Sequence, residues 1–524
     1  MARFMAIGSG IAVMAGMGLA TPAHAATGTN VPFTGTASSI PFVNTSQGDS
    51  AGLVAVGDFS GNGPHDLAVA DGAGGAVYVM LNNGSGQFTP KEIAGNFSGS
   101  FISAIAAGNL GGKGPGEDIA ITDEGSDEVE NPGAGEVILL LRDGHGGYNE
   151  SFVPVGAAPD AIAIGDLNND GRADIAVTNA DGDGSDEPGD SGTITLLLNQ
   201  GGGNFASETL TGGLGDTFQG SGPGAIAIGD LQGTGHAQDL AVITGGNNPA
   251  NDPDLNLFLN SSGNAFMPTY TRPAALQGGF DASSVAIGKL GGPGPGSDIA
   301  VGDAGPQKFR GATLFLNQGD ANFVSETIPS GISTFSFQSA IAVGNLDGTN
   351  RPGFALDNPA SGLFTGSVSV FIKDVNDGNF AETTVPVAPD SGPESIVMGN
   401  FAGDRYPNRL DMVVGEEFSD TLTLITNTTL VPTKLAAGPL LNSAYPAYTA
   451  NAVLLDTLGQ PIAGQTITFT TGTTAVCTAT TNAAGLAKCQ NLKVAAAETA
   501  NKGYTATYAG STTFQAGSAK GALG

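Results

Sequence analysis

The chain is 524 residues long, with 83 Gly and 29 Pro; its 18 Lys and Arg face 49 Asp and Glu, a formal net charge of −31. That balance excludes a nucleic-acid binder, which needs a basic stripe, and opposes an anionic membrane surface; the 13% of charged residues is too few for a long coiled coil. Abundant Gly and 40% hydrophobic residues, broken into short runs, predict an all-β protein with many tight turns.

Residues 1–25 carry Arg3, an apolar run over 4–20, a break at Pro22 and the small-x-small pattern Ala23-His24-Ala25. This reads as a secretory signal peptide. No Cys follows the run to take a lipid anchor, and no later stretch has 18 consecutive apolar residues, so no transmembrane segment is expected. The product is expected to be secreted, extracellular or on the cell surface, with the periplasm as the other destination.

Next a short apolar run ending in Gly and a polar residue recurs, as LVAVGDF, AIAAGNL, AIAIGDL twice, VAIGKL, AIAVGNL and SIVMGNF. Its anchoring glycines are Gly57, Gly108, Gly165, Gly229, Gly288, Gly344 and Gly399. A period of roughly 50–65 residues marks repeated supersecondary units. In each unit a Gly- and Asp-rich loop leads to a second run, such as DLAVAD or DIAVT. A third run ends in an Asn-Gly turn, such as ITLLLNQGGGNF, and an aromatic opens a fourth: Phe88, Tyr148, Phe205, Phe266, Phe323 and Phe380. Four short strands per unit is the composition of a propeller blade, and seven units predict a seven-bladed β-propeller. The seventh unit lacks a fourth run, whereas SIPFVNTSQGD precedes the first. The segment around Phe42 is therefore expected to complete the sheet begun at Ser395 and to close the ring.

The GDL with its DxNxDGxxD loop, the DIAV run and the LxNxGxGxF turn resemble the FG-GAP, or VCBS, repeat family, the propeller units of integrin α subunits and many secreted bacterial proteins. The resemblance covers roughly residues 40–430 and is complete in the third unit. It implies a seven-bladed propeller, over 26–430, with calcium in the first loop of matching units.

In DLNNDGRAD of unit three, Asp166, Asn168 and Asp170 take positions 1, 3 and 5; Gly171 allows the turn, Arg172 offers its carbonyl at 7 and Asp174 closes at 9. Alternating oxygens around a Gly turn can wrap calcium; the same residues also make a solvated Asx-turn without an ion. Unit one offers Asp58, Ser60, Asn62 and Asp66, a weaker second candidate with two carboxylates. The other first loops depart from the pattern. Unit two opens on Asn109, unit four has Gln232 and Thr234, and unit five opens on Lys289, whose charge opposes a cation. Unit six ends in Phe354 without a closing acid, and unit seven has an insertion between Asp404 and Asp411.

After Thr429 Gly falls while Thr and Ala rise. Residues 430–438 read as a linker into a first strand, followed by the strand-like YTANAVLLD, GQTITFTTG, AVCTATTNAAGLAKCQ and GYTATYAG. LLDTLGQPIAGQTITFT with TTNAAGLAKC and YTATYAG resembles bacterial Ig-like domains of the invasin type, over about 432–517, and implies a β-sandwich for 431–524. Cys477 and Cys489, the only cysteines, are expected to form one disulfide across a hairpin; the alternative is two free thiols.

His65, His145 and His236 stand in separate Gly-rich turns, and no HExxH, zinc-spaced, GxSxG or Walker pattern occurs. The second loops of units two, three and four (from Asp123, Asn179 and Thr244) are long and mostly acidic. They read as a partner surface or as solvated loops, the second weighing more. The sequence thus predicts a non-enzymatic, calcium-binding adhesion or ligand-binding protein whose partner is an extracellular protein or glycan. The alternative is a polysaccharide-active enzyme, since a carboxylate pair stays open, or a lectin, against which weigh the lack of Trp and only 8 Tyr.

Overall fold

The computed structural model describes residues 10–11, 32–41, 52–71, 76–95, 102–124, 135–181, 192–210, 223–235, 238–244, 254–260, 282–303, 311–330, 340–349, 351–358, 365–374, 377–389, 393–403, 409–416, 421–438, 441–444, 447–493 and 503–521. Among these the helices and strands are all strands, and no helix is long and apolar enough to cross a membrane. Of residues 1–25 only Gly10–Ile11 is described, paired in parallel with Ala104 and Ile105; the rest of the expected signal peptide lies outside the described residues.

The repeats form small antiparallel sheets, one per unit, in the manner of a propeller. Unit one runs Leu53–Gly57, Asp66–Asp71, Ala76–Asn82, Phe88–Gly95, each strand bonded to the next. The sheets of units two, three, five and six repeat this order, with first strands Ile102–Gly108, Ala157–Gly165, Ala282–Gly288 and Ile341–Gly344. Phe88, Tyr148 and Phe380 open fourth strands, and Phe205 and Phe323 are second in theirs. In unit four Pro223–Gly229, Asp239–Thr244 and Asp254–Phe258 are described; its fourth run, around Phe266, is not.

Unit seven draws on both ends of the array. Pro393–Gly399, Asp411–Glu416 and Thr421–Asn427 are joined at the outer edge by Gly35–Pro41, with Ala37 opposite Ile425 and Ile40 opposite Leu422. The strand expected near Phe42 therefore lies a few residues earlier, and Phe42 is outside the described residues. Gly35 stands opposite Asn427, where other units place an aromatic, as Phe88 opposite Asn82. A Cβ at Gly35 would collide with the ring of Phe33, itself buried. The seventh sheet thus takes its aromatic from two residues upstream.

The first strand of each unit touches the first strand of the next, and Pro393–Gly399 touches Leu53–Gly57, so the contacts form a closed cycle. The anchoring glycines show why the stacking is tight. A Cβ at Gly108, Gly165, Gly229, Gly288 or Gly344 would collide with Ile164, Ile228, Ile287, Val343 or Met398, the residue before the next unit's glycine. Each glycine is a socket for its neighbour. The core lies between sheets, as where Ile162, Ile175 and Val177 of unit three meet Ala106, Ile138's neighbours Val137 and Leu139, and Leu110 of unit two. Strands buried on both faces in this way explain the unbroken apolar runs, each full Ile or Leu contributing roughly 1.5–3 kcal/mol.

The tail forms two further sheets. One holds Thr433–Ala437, Leu441–Ala444, Ala447–Asp456 and Leu486–Lys493; the other Thr466–Thr471, Thr474–Thr480, Tyr504–Tyr508 and Gly517–Gly521. Leu454 and Ala487 of the first pack with Ile467, Phe469 and Tyr508 of the second in one core. The expected linker is mostly strand, since Thr433–Ala437 pairs along Ala447–Asp456. Cys477 and Cys489 are bonded, with Cα atoms 6.2 Å apart, but not across a hairpin: Thr474–Thr480 pairs with Thr466–Thr471 and Leu486–Lys493 with Ala447–Asp456. The bond therefore ties one sheet to the other.

Candidate functional site

The unit-three loop joins strands Ala157–Gly165 and Asp174–Asp181, a register fixed where Gly165 faces Asp174. Inside it the side chains fold back on the chain. Asp166 accepts from the amides of Asp170 (3.1 Å) and Gly171 (2.9 Å), and Asn168 Oδ1 from that of Asp170 (3.0 Å). Asn169 takes the left-handed conformation at φ 59°, which Asn tolerates. Asp170 accepts from the Arg172 amide (2.9 Å) and pairs with its guanidinium, whose Nε also donates to the Asn199 carbonyl (2.7 Å).

Asp174 behaves differently. It is fully buried, and its two oxygens accept from the amides of Leu167 (2.9 Å) and Asn199 (2.7 Å). Burial pushes its carboxyl up to about 6, with the charges of Asp170 and Asp166 adding. The donor set of the loop is all oxygen, which suits a hard cation, and each carboxylate oxygen keeps a lone pair beyond its amide. Asp166, Asn168, Asp170 and the Arg172 carbonyl are the groups that would hold calcium, with Asp174 behind them. An ion there would first have to displace the Arg172 guanidinium from Asp170. Among the described residues no three His, Cys, Asp or Glu side chains converge on one point.

The unit-one loop has the same design. Asp58 accepts from the amides of Asn62 (3.0 Å) and Gly63 (2.8 Å) and from Ser60 Oγ (3.3 Å), while Asp66 accepts from the amides of Ser60 (2.8 Å) and Asn82 (2.7 Å). Glu117 of unit two accepts from the Asp58 amide (3.3 Å), and burial, with Asp58 and Asp118 nearby, holds its carboxyl above the usual range. In unit four Asp230 makes the same turn by accepting from Gly233 (2.6 Å) and Gly235 (2.8 Å), although Gln232 and Thr234 occupy positions 3 and 5. In unit five the Lys289 ammonium donates to the carbonyls of Pro295 and Gly296, so the loop carries its own cation. In unit six the closing position falls on Gly353, opposite Gly344, and not on Phe354; Phe354 is a core residue stacked on Phe371.

The closing acid is part of a larger device that runs through the array. Asp66, Asp118, Asp174, Asp239, Asp298 and Asp411 each accept one or two amides from their own first loop and one from the end of the third strand. At that strand end a side-chain donor crosses to the unit before. Asn199 donates to Leu110 O (3.2 Å), Asn260 to Leu167 O, Asn317 to Leu231 O (2.6 Å), Asn427 to Leu346 O (2.6 Å), and Asn82 to Phe401 O (2.8 Å), which links unit one to unit seven. Units two and six use longer donors: Arg142 to Phe59 O and Lys373 to Leu290 O (3.3 Å). These seven residues were not among the sequence candidates. The signal was present: where the strand-end Asn is lost, Arg or Lys replaces it, so a donor is kept. The long second loops lie largely outside the described residues.

No curated protein matches the chain by sequence. Among solved structures it is similar to the core factor of S. cerevisiae (TM-score 0.44, 9% identity), covering 76% of this chain and 61% of that one. It is similar to BBS1N in complex with ARL6DN, soaked with lead (TM-score 0.44, 12% identity, 76% of this chain and 98% of that one). A third similar structure is the rhamnogalacturonan lyase YesW (TM-score 0.42, 15% identity, 74% and 75%). Residues 158–197, which hold the unit-three loop and the two strands it joins, match the family described as FG-GAP repeat.

Proposed function

We propose that this chain is a secreted or cell-surface, non-enzymatic ligand-binding protein of the adhesion type. In this reading the seven sheets are the blades of a closed FG-GAP/VCBS propeller over 26–430, followed by an Ig-like sandwich over 431–524. The observation that carries the reading is the ring of donors from each third-strand end to the preceding unit, Asn82 to Phe401 included. It uses the repeated polar residues to build a rigid frame and leaves loops as the variable part, which is how display scaffolds work. Calcium bound by Asp166, Asn168, Asp170 and the Arg172 carbonyl would be structural, because strands of one sheet hold both ends of the loop. A ligand that binds only the folded state at a hundredfold over its dissociation constant adds roughly 2.7 kcal/mol.

Two measurements on residues 26–524 test this. Thermal unfolding in calcium, magnesium and EGTA should show a higher midpoint in calcium alone; equal midpoints in calcium and EGTA would leave the loop a turn without an ion. Immobilised protein should capture a member of a panel of purified matrix proteins or arrayed glycans while leaving acidic polysaccharides intact. Release of new reducing or unsaturated ends from those polysaccharides would overturn the non-enzymatic reading.

A further inference from the structure

We propose that the first loop of unit six is a built seat for the tail module, which holds the tail at a fixed angle over units six and seven. The loop differs from its equivalents in chemistry and in burial. It has no closing acid; Asp347 at position 3 instead accepts from the Thr349 amide (2.9 Å) and hydroxyl and pairs with Arg351. Asp347 is fully buried and Arg351 is 8% exposed. At position 4, Gly61 and Asn169 of units one and three are exposed, whereas Gly348 is buried.

The tail provides the cover. Thr457, in the turn after Ala447–Asp456, donates its hydroxyl to the Gly348 carbonyl (3.1 Å). A Cβ on Gly348 would stand 3.8 Å from Val431, a fully buried member of the tail core. That turn is firm, since Asp456 Oδ1 accepts from the amides of Leu458 (3.0 Å) and Gln460 (2.7 Å). The connection between the modules has no slack. Arg409 of unit seven donates to the Thr429 carbonyl (2.8 Å), and two residues later Val431 bonds through both backbone groups to Thr513 (2.8 Å) and Gln515 (2.9 Å). The chain leaves the propeller beside the strand end that carries Asn427, the side on which the first loops lie. A partner approaching that side therefore meets the tail at units six and seven.

Hydrogen exchange followed by mass spectrometry on residues 26–524 tests the seat. The peptide covering 345–351 should exchange at least tenfold more slowly in the wild type than in Thr457→Arg. In that variant the slow exchange should be lost while 466–471 stays protected and both cysteines stay unalkylated, signs that the tail remains folded. Thr457→Ser, which keeps the hydroxyl, should retain the slow exchange. Unchanged protection of 345–351 in Thr457→Arg would overturn the proposal.

Discussion

Arg172 would decide how the unit-three loop meets a cation. Its guanidinium already neutralises Asp170, so in the proposed site calcium would have to compete with a tethered charge while using the same residue's carbonyl. Arg172→Ala keeps the carbonyl and removes the competitor. Calorimetric titration should show calcium binding several-fold more tightly; unchanged affinity would mean that Asp170 is not a ligand. Asp174 adds a pH dependence. Its folded pKa of about 6 lies above its ordinary 3.8, so the protonated form favours the fold. That contribution is complete below about pH 4 and is lost as the pH rises through about 6. A bound cation would reverse this by favouring the carboxylate. The rise in melting temperature on adding calcium should therefore be larger at pH 7.5 than at pH 5. Asn317 shows what the strand-end donor contributes by itself: it is fully buried, donates to Leu231 O and Ser297 O (3.0 Å), and accepts from the Gly319 amide (2.8 Å). Asn317→Ala strands these groups and should lower unfolding free energy by about 1–3 kcal/mol in urea titrations, with or without calcium.

At the scale of strands and loops, the apolar runs, the Gly–Asp loops and the aromatic openings were legible because local patterning fixes them. Two features were not, because they depend on which strands meet in space. The LxN turn reads as turn chemistry, yet the Asn amide leaves its own sheet to bond the unit before. TATTNAAGLAK reads as a hairpin because NAAG suits a turn, and Asn482 does cap one, accepting from the amides of Ala484 (2.9 Å) and Leu486 (3.0 Å). Its two flanking strands nevertheless belong to different sheets. Cys477 and Cys489 consequently fasten the two faces of the tail at one edge, while Thr433 bonds the Gln515 carbonyl (3.2 Å) at another. Replacing both cysteines by Ser should destabilise the tail by on the order of 3 kcal/mol in the chain-entropy estimate for so short a loop. The loss should show as earlier proteolysis of the tail with unit three unaffected; a tail equally resistant after substitution would assign its stability to the shared core alone.

For the whole molecule, ring closure rests on the ten residues 32–41 ahead of unit one. Phe33 is 2% exposed and packs in the same core as Ile40, Leu422 and Ile425. Phe33→Ala should cost about 3–5 kcal/mol, the range for a buried aromatic, read as a lower urea midpoint for the propeller. A midpoint equal to the wild type would show that the seventh sheet closes without that ring. Closure also has a temporal side. The Thr34 amide bonds Thr429 Oγ1 across 395 residues of chain, so a strand made before unit one finds its partner only when the last unit exists. Contacts of such separation fold slowly, because the intervening loop must be ordered before they form. Until then Thr421–Asn427 presents an open edge to other chains. The last contact of assembly therefore belongs to a segment made before every unit, and a bulky insertion close ahead of Gly35 would interfere with the last event in folding.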